Sequence, residues 1–289
     1  MTIAVGILAG DSIVIAADSQ ETYPHAKVEG DKIMVLKSER PDIFGVLAFT
    51  GAGAAGYLDK CGQEVFRTFL DTKNETDLQQ ALQETIKGFY RQHVIPFGQR
   101  WAEDGGLEIQ TIIAYERDGT QKLLSNVGTP LREVSPHVAV GTGESLVKGL
   151  LRELYRPDIS REAAIRLAAL AVYRAKDHDP NCGKRTEILV IRDGKWKQID
   201  QRTIEQWERV FDRVGKVSSM AVRRMLGIKR SPSDISREEL DAIEQTFTSS
   251  EAEWHFVTIT PSSPVKVQST RQARKAPKRV RKGQPASRG

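Results

Sequence analysis

Thr2-Ile-Ala-Val-Gly-Ile-Leu-Ala-Gly-Asp-Ser-Ile-Val-Ile-Ala-Ala-Asp18 decides how this chain folds. Two apolar runs, 3–8 and 12–17, flank the turn Ala9-Gly10-Asp11, the pattern of a β-hairpin buried on both faces. Thr2 follows Met1 directly, and a threonine is small enough for methionine trimming to expose it. A terminal threonine carries two chemical groups at once. Its hydroxyl attacks, and its own α-amine, with a pKa near ~8, takes the proton. The hairpin starts at Thr2 and returns at Asp18, so it brings a carboxylate back to the would-be nucleophile.

Outward from the hairpin, strands are predicted near 31–37 and 43–50. A helix follows from Ala54 to about Leu70, with Leu58, Val65, Phe66 and Phe69 at helical spacing. A second runs from Asp77 to Trp101, with Leu78, Leu82, Ile86 and Phe89 on one face, and Pro96 kinks or ends it. Residues 108–115 and 121–124 form a hairpin around Asp118-Gly119, and His137–Val140 is a short strand. Helices are predicted over 144–155 and 161–176, the latter with Ser160 as N-cap and Glu162 in its first turn. Residues 185–191 turn at Asp193-Gly194 into 195–198. This order of strands, two helices, strands, two helices, strands predicts an α+β fold, a four-layer αββα sandwich.

These segments resemble the proteasome β-type subunits and the peptidase subunit of the related bacterial ATP-dependent protease, which are N-terminal nucleophile hydrolases. The resemblance covers roughly residues 2–200, and the separation of 16 between Thr2 and Asp18 matches the family's spacing from nucleophile to first acid. Asp31-Lys32-Ile-Met-Val-Leu36 looks like the strand bearing the family's lysine, although the gap of 14 from Asp18 is shorter than usual. The intervening loop is therefore about two residues short, and Lys27 and Lys37 stand as fallbacks. The small-residue turn Thr50-Gly51-Ala52-Gly53 suits an oxyanion hole, with Gly51 and Ala52 both candidate donors of backbone N–H groups.

The resemblance implies catalytic roles for Thr2, Asp18 and Lys32, the carboxylate orienting the lysine and holding it charged. It also implies that two later loops, Gly141-Thr142-Gly143 and Asp179-Pro-Asn-Cys182-Gly183, surround the terminal amine. Thr142 and Cys182 stand where serines are usual. Cys182 is the weaker hydrogen-bonding group, and it puts full activity in question. Asp177-His178-Asp179 with Cys182 can also be read as metal ligands, but the other four histidines are scattered and no metal is expected. No cofactor is expected either.

The reach of the resemblance implies a proteasome-like hydrolase domain over 1–200; helical spacing then marks a mostly helical elaboration over 201–260, and charge composition a basic tail over 261–289. The tail has nine basic residues and no acidic ones; the remainder holds 34 basic and 38 acidic side chains, a net of −4. The sequence pI of about 9.1 thus belongs to the tail. Low apolar content predicts disorder there. No aromatic residue interleaves its charges, so nucleic-acid stacking has no support. Ser236 with Glu239 forms a capping-box pattern, and 254–260 reads as a strand. No apolar run approaches the ~20 residues of a membrane span. The two cysteines, Cys61 and Cys182, do not make a disulfide scaffold, which points to a reducing cytoplasm.

Three functional readings follow. One is a threonine peptidase acting on peptides or unfolded protein inside a homo-oligomeric ring. Apolar helical faces at 58–69 and 78–89 would supply the interface, and a separate ATP-dependent unfoldase would feed the ring, since no phosphate-binding glycine loop is present. The others are an inactive structural subunit of the same fold and a small-amide hydrolase.

Overall fold

The computed structural model describes residues 2–23, 25–38, 40, 43–97 and 109–228. The capping box at Ser236, the strand read at 254–260, the basic tail and the predicted end of the second helix near Trp101 lie outside these residues.

The opening hairpin forms as β1 (Ile3–Ala9) and β2 (Ser12–Asp18), joined through Gly10 at φ 57°, a left-handed conformation that favours glycine. Two short strands, β3 (Gln20–Tyr23) and β4 (Ala26–Glu29), make a separate ribbon. They are followed by β5 (Met34–Lys37) and β6 (Gly45–Ala52). Helices α1 (Ala55–Asp71) and α2 (Glu75–Phe89) come next, then β7 (Gln110–Arg117), β8 (Thr120–Val127), β9 (Leu131–Glu133) and β10 (His137–Gly141). The chain continues through α3 (Glu144–Leu154), α4 (Arg161–His178), β11 (Thr186–Arg192), β12 (Lys195–Gln198) and α5 (Gln201–Met225).

Two five-stranded antiparallel sheets result, ordered β10-β1-β2-β11-β12 and β5-β6-β7-β8-β9. Alternation along each strand divides the core into three apolar layers. Ile3, Val5, Ile7, Val14 and Ala16 pack beneath α3 and α4, together with Ile188 and Val190. Leu47, Phe49, Ile113 and Tyr115 pack beneath α1 and α2. Between the sheets lie Ala4, Ile13, Ile15, Ala17, Val46, Ala48, Ile112, Ala114 and Leu189. The molecule is therefore an αββα sandwich, and the near-continuous apolar strands are explained by cover on both faces. Small residues set the close approach of the sheets: a Cβ at Gly6 would lie 2.8 Å from Leu123 Cδ1.

The structure corrects three details of the sequence reading. Beyond Phe89 the second helix changes form, widening into a π turn at Tyr90–Val94 and tightening into a 3-10 turn at Ile95–Phe97. Pro96 has no N–H for the α ladder, and the Ile95 N–H instead reaches Tyr90 O, five residues back. Second, the apolar faces of α1 and α2 are not free for an interface. Val65, Phe69, Leu78, Leu82, Ile86 and Phe89 are fully buried against the sheet. Third, Lys32 precedes β5 instead of lying on it.

Ser160 caps α4 by accepting the Ala163 N–H at 3.2 Å, and alanines at 164, 168, 171 and 175 form much of its buried face. Their small size lets the helix lie close over β1 and β2. A Cβ at Gly143 would come within 2.8 Å of Ala175 Cβ. This close seat delivers the loop after α4 to the end of the first sheet. Helix α5 adds Ile204 and Trp207 to the same apolar layer, with Phe211 against Tyr173 at 5.8 Å between ring centroids.

Candidate active site

Asp18 is the last residue of β2, and the hairpin register places it beside the start of β1. Its carboxylate is fully buried and every donor it needs is present. Oδ1 accepts from the Thr2 hydroxyl, from Ile3 N at 3.0 Å and from Lys32 Nζ at 2.9 Å. Oδ2 accepts from Gly183 N at 2.9 Å and Gln20 N at 3.3 Å. A buried charge is tolerable only when paired and hydrogen-bonded in this way. Lys32 Nζ also donates to Thr2 Oγ1 and to the Gln20 carbonyl. The ammonium and the carboxylate thus converge on one hydroxyl.

Lys27 and Lys37, the fallback lysines, go elsewhere. Lys27 Nζ donates to the Pro180 carbonyl, and Lys37 is exposed at the end of β5. The shortened loop still lets Lys32 reach Thr2, because a lysine side chain spans the distance from just outside the sheet.

The main chain of Thr2 is held from the opposite side. Its carbonyl accepts the Thr142 N–H at 3.0 Å. Gly141, at φ 108°, passes so close that a Cβ there would lie 2.0 Å from Thr2 O, so no other residue fits without moving the backbone. The Gly141 N–H is in turn fixed by Gln110 Oε1 at 3.0 Å. The same hypothetical Cβ would lie 3.2 Å from Ala52 Cβ, which places Ala52 across from Thr2. Gly51 faces the other way, toward Leu58 of α1. Both candidate oxyanion residues are paired in β6, Gly51 with Thr111 and Ala52 with Gln110; the expected turn begins only at Gly53, φ 136°.

Thr142, Asp179 and Cys182 form the second cluster. Thr142 Oγ1 lies 3.8 Å from Cys182 Sγ, and Asp179 accepts the Asn181 N–H at 2.9 Å. Burial opposes ionisation of Asp179, yet hydrogen bonds from Thr142, Asn181 and Cys182 hold its carboxyl below the ordinary value. Burial first, and then the Asp18 charge, pushes the Cys182 thiol up to about 11. Cys182 is therefore a protonated S–H at neutral pH, without the thiolate that a cysteine nucleophile needs. Among the described residues no group of three or more His, Cys, Asp or Glu side chains is placed to hold a metal.

Sequence reasoning missed Gln20, whose carbonyl accepts from Lys32, and Glu187, whose Oε2 accepts the Lys32 N–H at 3.0 Å. Glu187 carried a signal: it is a lone carboxylate in an otherwise apolar strand, Thr186-Glu-Ile-Leu-Val-Ile191. Gln20 carried none, because the atom used is backbone.

The family model for proteasome subunits matches residues 2–191. The chain belongs to the proteasome subunit family. Proteasome subunit beta 2 of Pyrobaculum neutrophilum is 25% identical over 195 residues, covering 66% of this chain and 89% of that protein. Proteasome subunit beta 1 of Pyrobaculum arsenaticum is 26% identical over 201 residues, covering 67% and 92%. Among solved structures, the ancestral beta-subunit Anbu from Yersinia bercovieri superposes with a TM-score of 0.62 at 13% identity, covering 76% of this chain and 97% of that one. Anbu from Pseudomonas aeruginosa, solved as a helical assembly, gives 0.61 at 15% identity, covering 80% and 98%. This proteasome subunit relative thus has the fold of the N-terminal nucleophile hydrolases. Among the described residues no helix is long and apolar enough to cross a membrane.

Proposed function

We propose that the chain is a threonine-type peptidase that becomes active when removal of Met1 frees the amine of Thr2. The observation that carries this reading is the convergence of Lys32 Nζ and Asp18 Oδ1 on Thr2 Oγ1. The Lys32 charge stabilises developing alkoxide character on Oγ1, while Asp18 keeps that charge in place. The freed α-amine takes the hydroxyl proton as Oγ1 bonds to the substrate carbonyl carbon. A backbone N–H at the end of β6 receives the oxyanion, with Gly51 and Ala52 the two candidates and Ala52 the one that lies on the Thr2 side. The α-ammonium then returns its proton to the leaving amine as the C–N bond breaks, giving an ester on Thr2. Water attacks that ester with the amine again as base, releasing the acid and restoring the hydroxyl. Thr142, Asp179 and Cys182 orient the amine through these transfers.

The reading extends to a cytoplasmic homo-oligomer of ring type that encloses its sites and takes peptides or unfolded protein, fed by a separate ATP-dependent unfoldase. Support for assembly comes from the family and from the helical assembly reported for the Pseudomonas aeruginosa relative.

Thr2→Ala tests the nucleophile. It is expected to abolish hydrolysis of fluorogenic peptides and capture by electrophiles specific for an N-terminal threonine, with folding intact by circular dichroism. Intact mass of the wild type should show loss of Met1. Undiminished turnover by the alanine variant would overturn the assignment.

A further inference from the structure

Residues 30–33, which carry the lysine of the proposed site, lie between β4 and β5 and belong to neither strand. Lys32 therefore has no ladder of backbone hydrogen bonds to fix it, although its ammonium must meet two atoms at once. What holds the segment is β11. The Glu187 carboxylate accepts the Lys32 N–H at 3.0 Å. Just before that strand begins, Arg185 donates through Nε to Glu29 at the end of β4, and its NH2 lies 3.8 Å from Asp31. Gly30 N is tied to Ser19 O at 3.0 Å. The segment is gripped at both ends, and Glu187 grips it at the lysine itself.

The location of Glu187 makes the case. It is only 7% exposed, on the face of β11 that continues through Leu189 into the apolar layer between the sheets. An apolar side chain there would avoid the cost of burying a carboxylate. The same burial, with Asp31 close by, pushes its carboxyl up to about 7. A strand position that carries such a cost, and directs the acceptor at the backbone of the lysine, serves the lysine.

We infer that Glu187 is a positioning residue for Lys32: its carboxylate holds the backbone at residue 32 so that the ammonium meets Thr2 Oγ1 and Asp18 together. The inference rests on the threonine-peptidase reading for its kinetic consequence, and on geometry alone for its structural one. Glu187 makes no hydrogen bond to the Thr2 hydroxyl and acts on it only through Lys32. Its loss therefore acts on the chemical step and spares binding.

The test compares wild type, Glu187→Leu and Glu187→Gln as full chains. The leucine variant fills the space without an acceptor. It is expected to lower kcat at least about tenfold with KM within about twofold, and to keep its circular dichroism spectrum. Glutamine keeps one acceptor oxygen for the Lys32 N–H, and kcat should return to within about threefold of wild type. Crystal structures of the two variants should show Lys32 Nζ withdrawn from Thr2 Oγ1 with leucine and in place with glutamine. Unchanged kcat with leucine, or glutamine falling as far as leucine, overturns the inference. Should the leucine variant not fold, Glu187→Asp draws the oxygens back by one methylene and should show the same loss. If the wild type neither hydrolyses peptides nor labels at Thr2, it is the peptidase reading that fails. The structures then decide on Glu187 alone: Lys32 unmoved in the leucine variant overturns the inference.

Discussion

At the scale of single residues the site is one hydroxyl set between opposite charges. Asp18 and Lys32 cannot be assigned separate contributions, because each fixes the other and both meet at Thr2 Oγ1. Asp18→Asn and Lys32→Ala should each lower kcat by about a hundredfold or more, and the double variant should be little worse than either single one. Additive losses in a double-mutant cycle would show that they act independently. Cys182 makes a different prediction. With its thiol pushed up to about 11, chiefly by burial, it works as an S–H donor beside Thr142 and Asp179. A hydroxyl makes shorter and stronger hydrogen bonds in that place. Cys182→Ser should leave kcat unchanged or raise it by about threefold, and native protein at neutral pH should resist alkylation at this thiol. If the serine variant is inactive, the thiol has a role beyond hydrogen bonding.

At the scale of elements, the first hairpin joins Thr2 to Asp18, the loops after β10 and α4 join Thr142, Asp179 and Cys182, and β11 braces the segment that carries Lys32. The brace has a consequence for stability. Burial, followed in effect by the neighbouring Asp31, places the Glu187 carboxyl near 7 in the folded chain, above its ordinary value of 4.5. The folded chain therefore keeps a proton that the unfolded chain releases between those values. This stabilising contribution is complete below about 4.5 and is lost as pH rises through about 7. Glu187→Gln carries no such proton. Urea unfolding at pH 5 and pH 8 should show the variant gaining on wild type at the higher pH by on the order of 1–3 kcal/mol. A gap that does not change with pH would mean that Glu187 ionises as freely in the folded chain as in the unfolded one. The elements themselves were largely legible in the sequence, because strands covered on both faces read as apolar runs and the Ser160 cap has a direct chemical signature. The π turn after Phe89 was not legible, since Pro96 announces a break and not its form. The loop position of Lys32 was hidden for a related reason: it directly precedes the apolar run Ile33–Leu36, which reads as a strand, but the pairing begins at Met34. Glu187 was visible only as an oddity, its partner lying 155 residues away.

At the scale of the molecule, the sandwich spends most of its apolar surface on itself, and this moves the expected interface. The faces of α1 and α2 that looked available in the sequence are core. Leu82→Ala should cost roughly 2–5 kcal/mol of stability and act through unfolding, not through dissociation. Large apolar side chains that do remain exposed include Leu146 and Leu154 on α3 and Val214, Val222 and Met225 on α5, the last 87% exposed. A body of net charge −4 over residues 1–260 gives copies of the chain little reason to repel one another. An ungated peptidase site open to solvent would also act on neighbouring proteins, and enclosure solves that problem by assembly. Head-to-tail contacts close a ring, and two rings can then stack about two-fold axes. The expected mass in solution is therefore that of a homo-oligomer of roughly ten or more subunits, measured by light scattering coupled to gel filtration. The mass should hold across micromolar concentrations and at low salt. A single species near 32.2 kDa under those conditions would reject the enclosed peptidase. Such a result, with Thr2 still labelled by electrophiles, would instead favour a small-amide hydrolase that works as an open monomer.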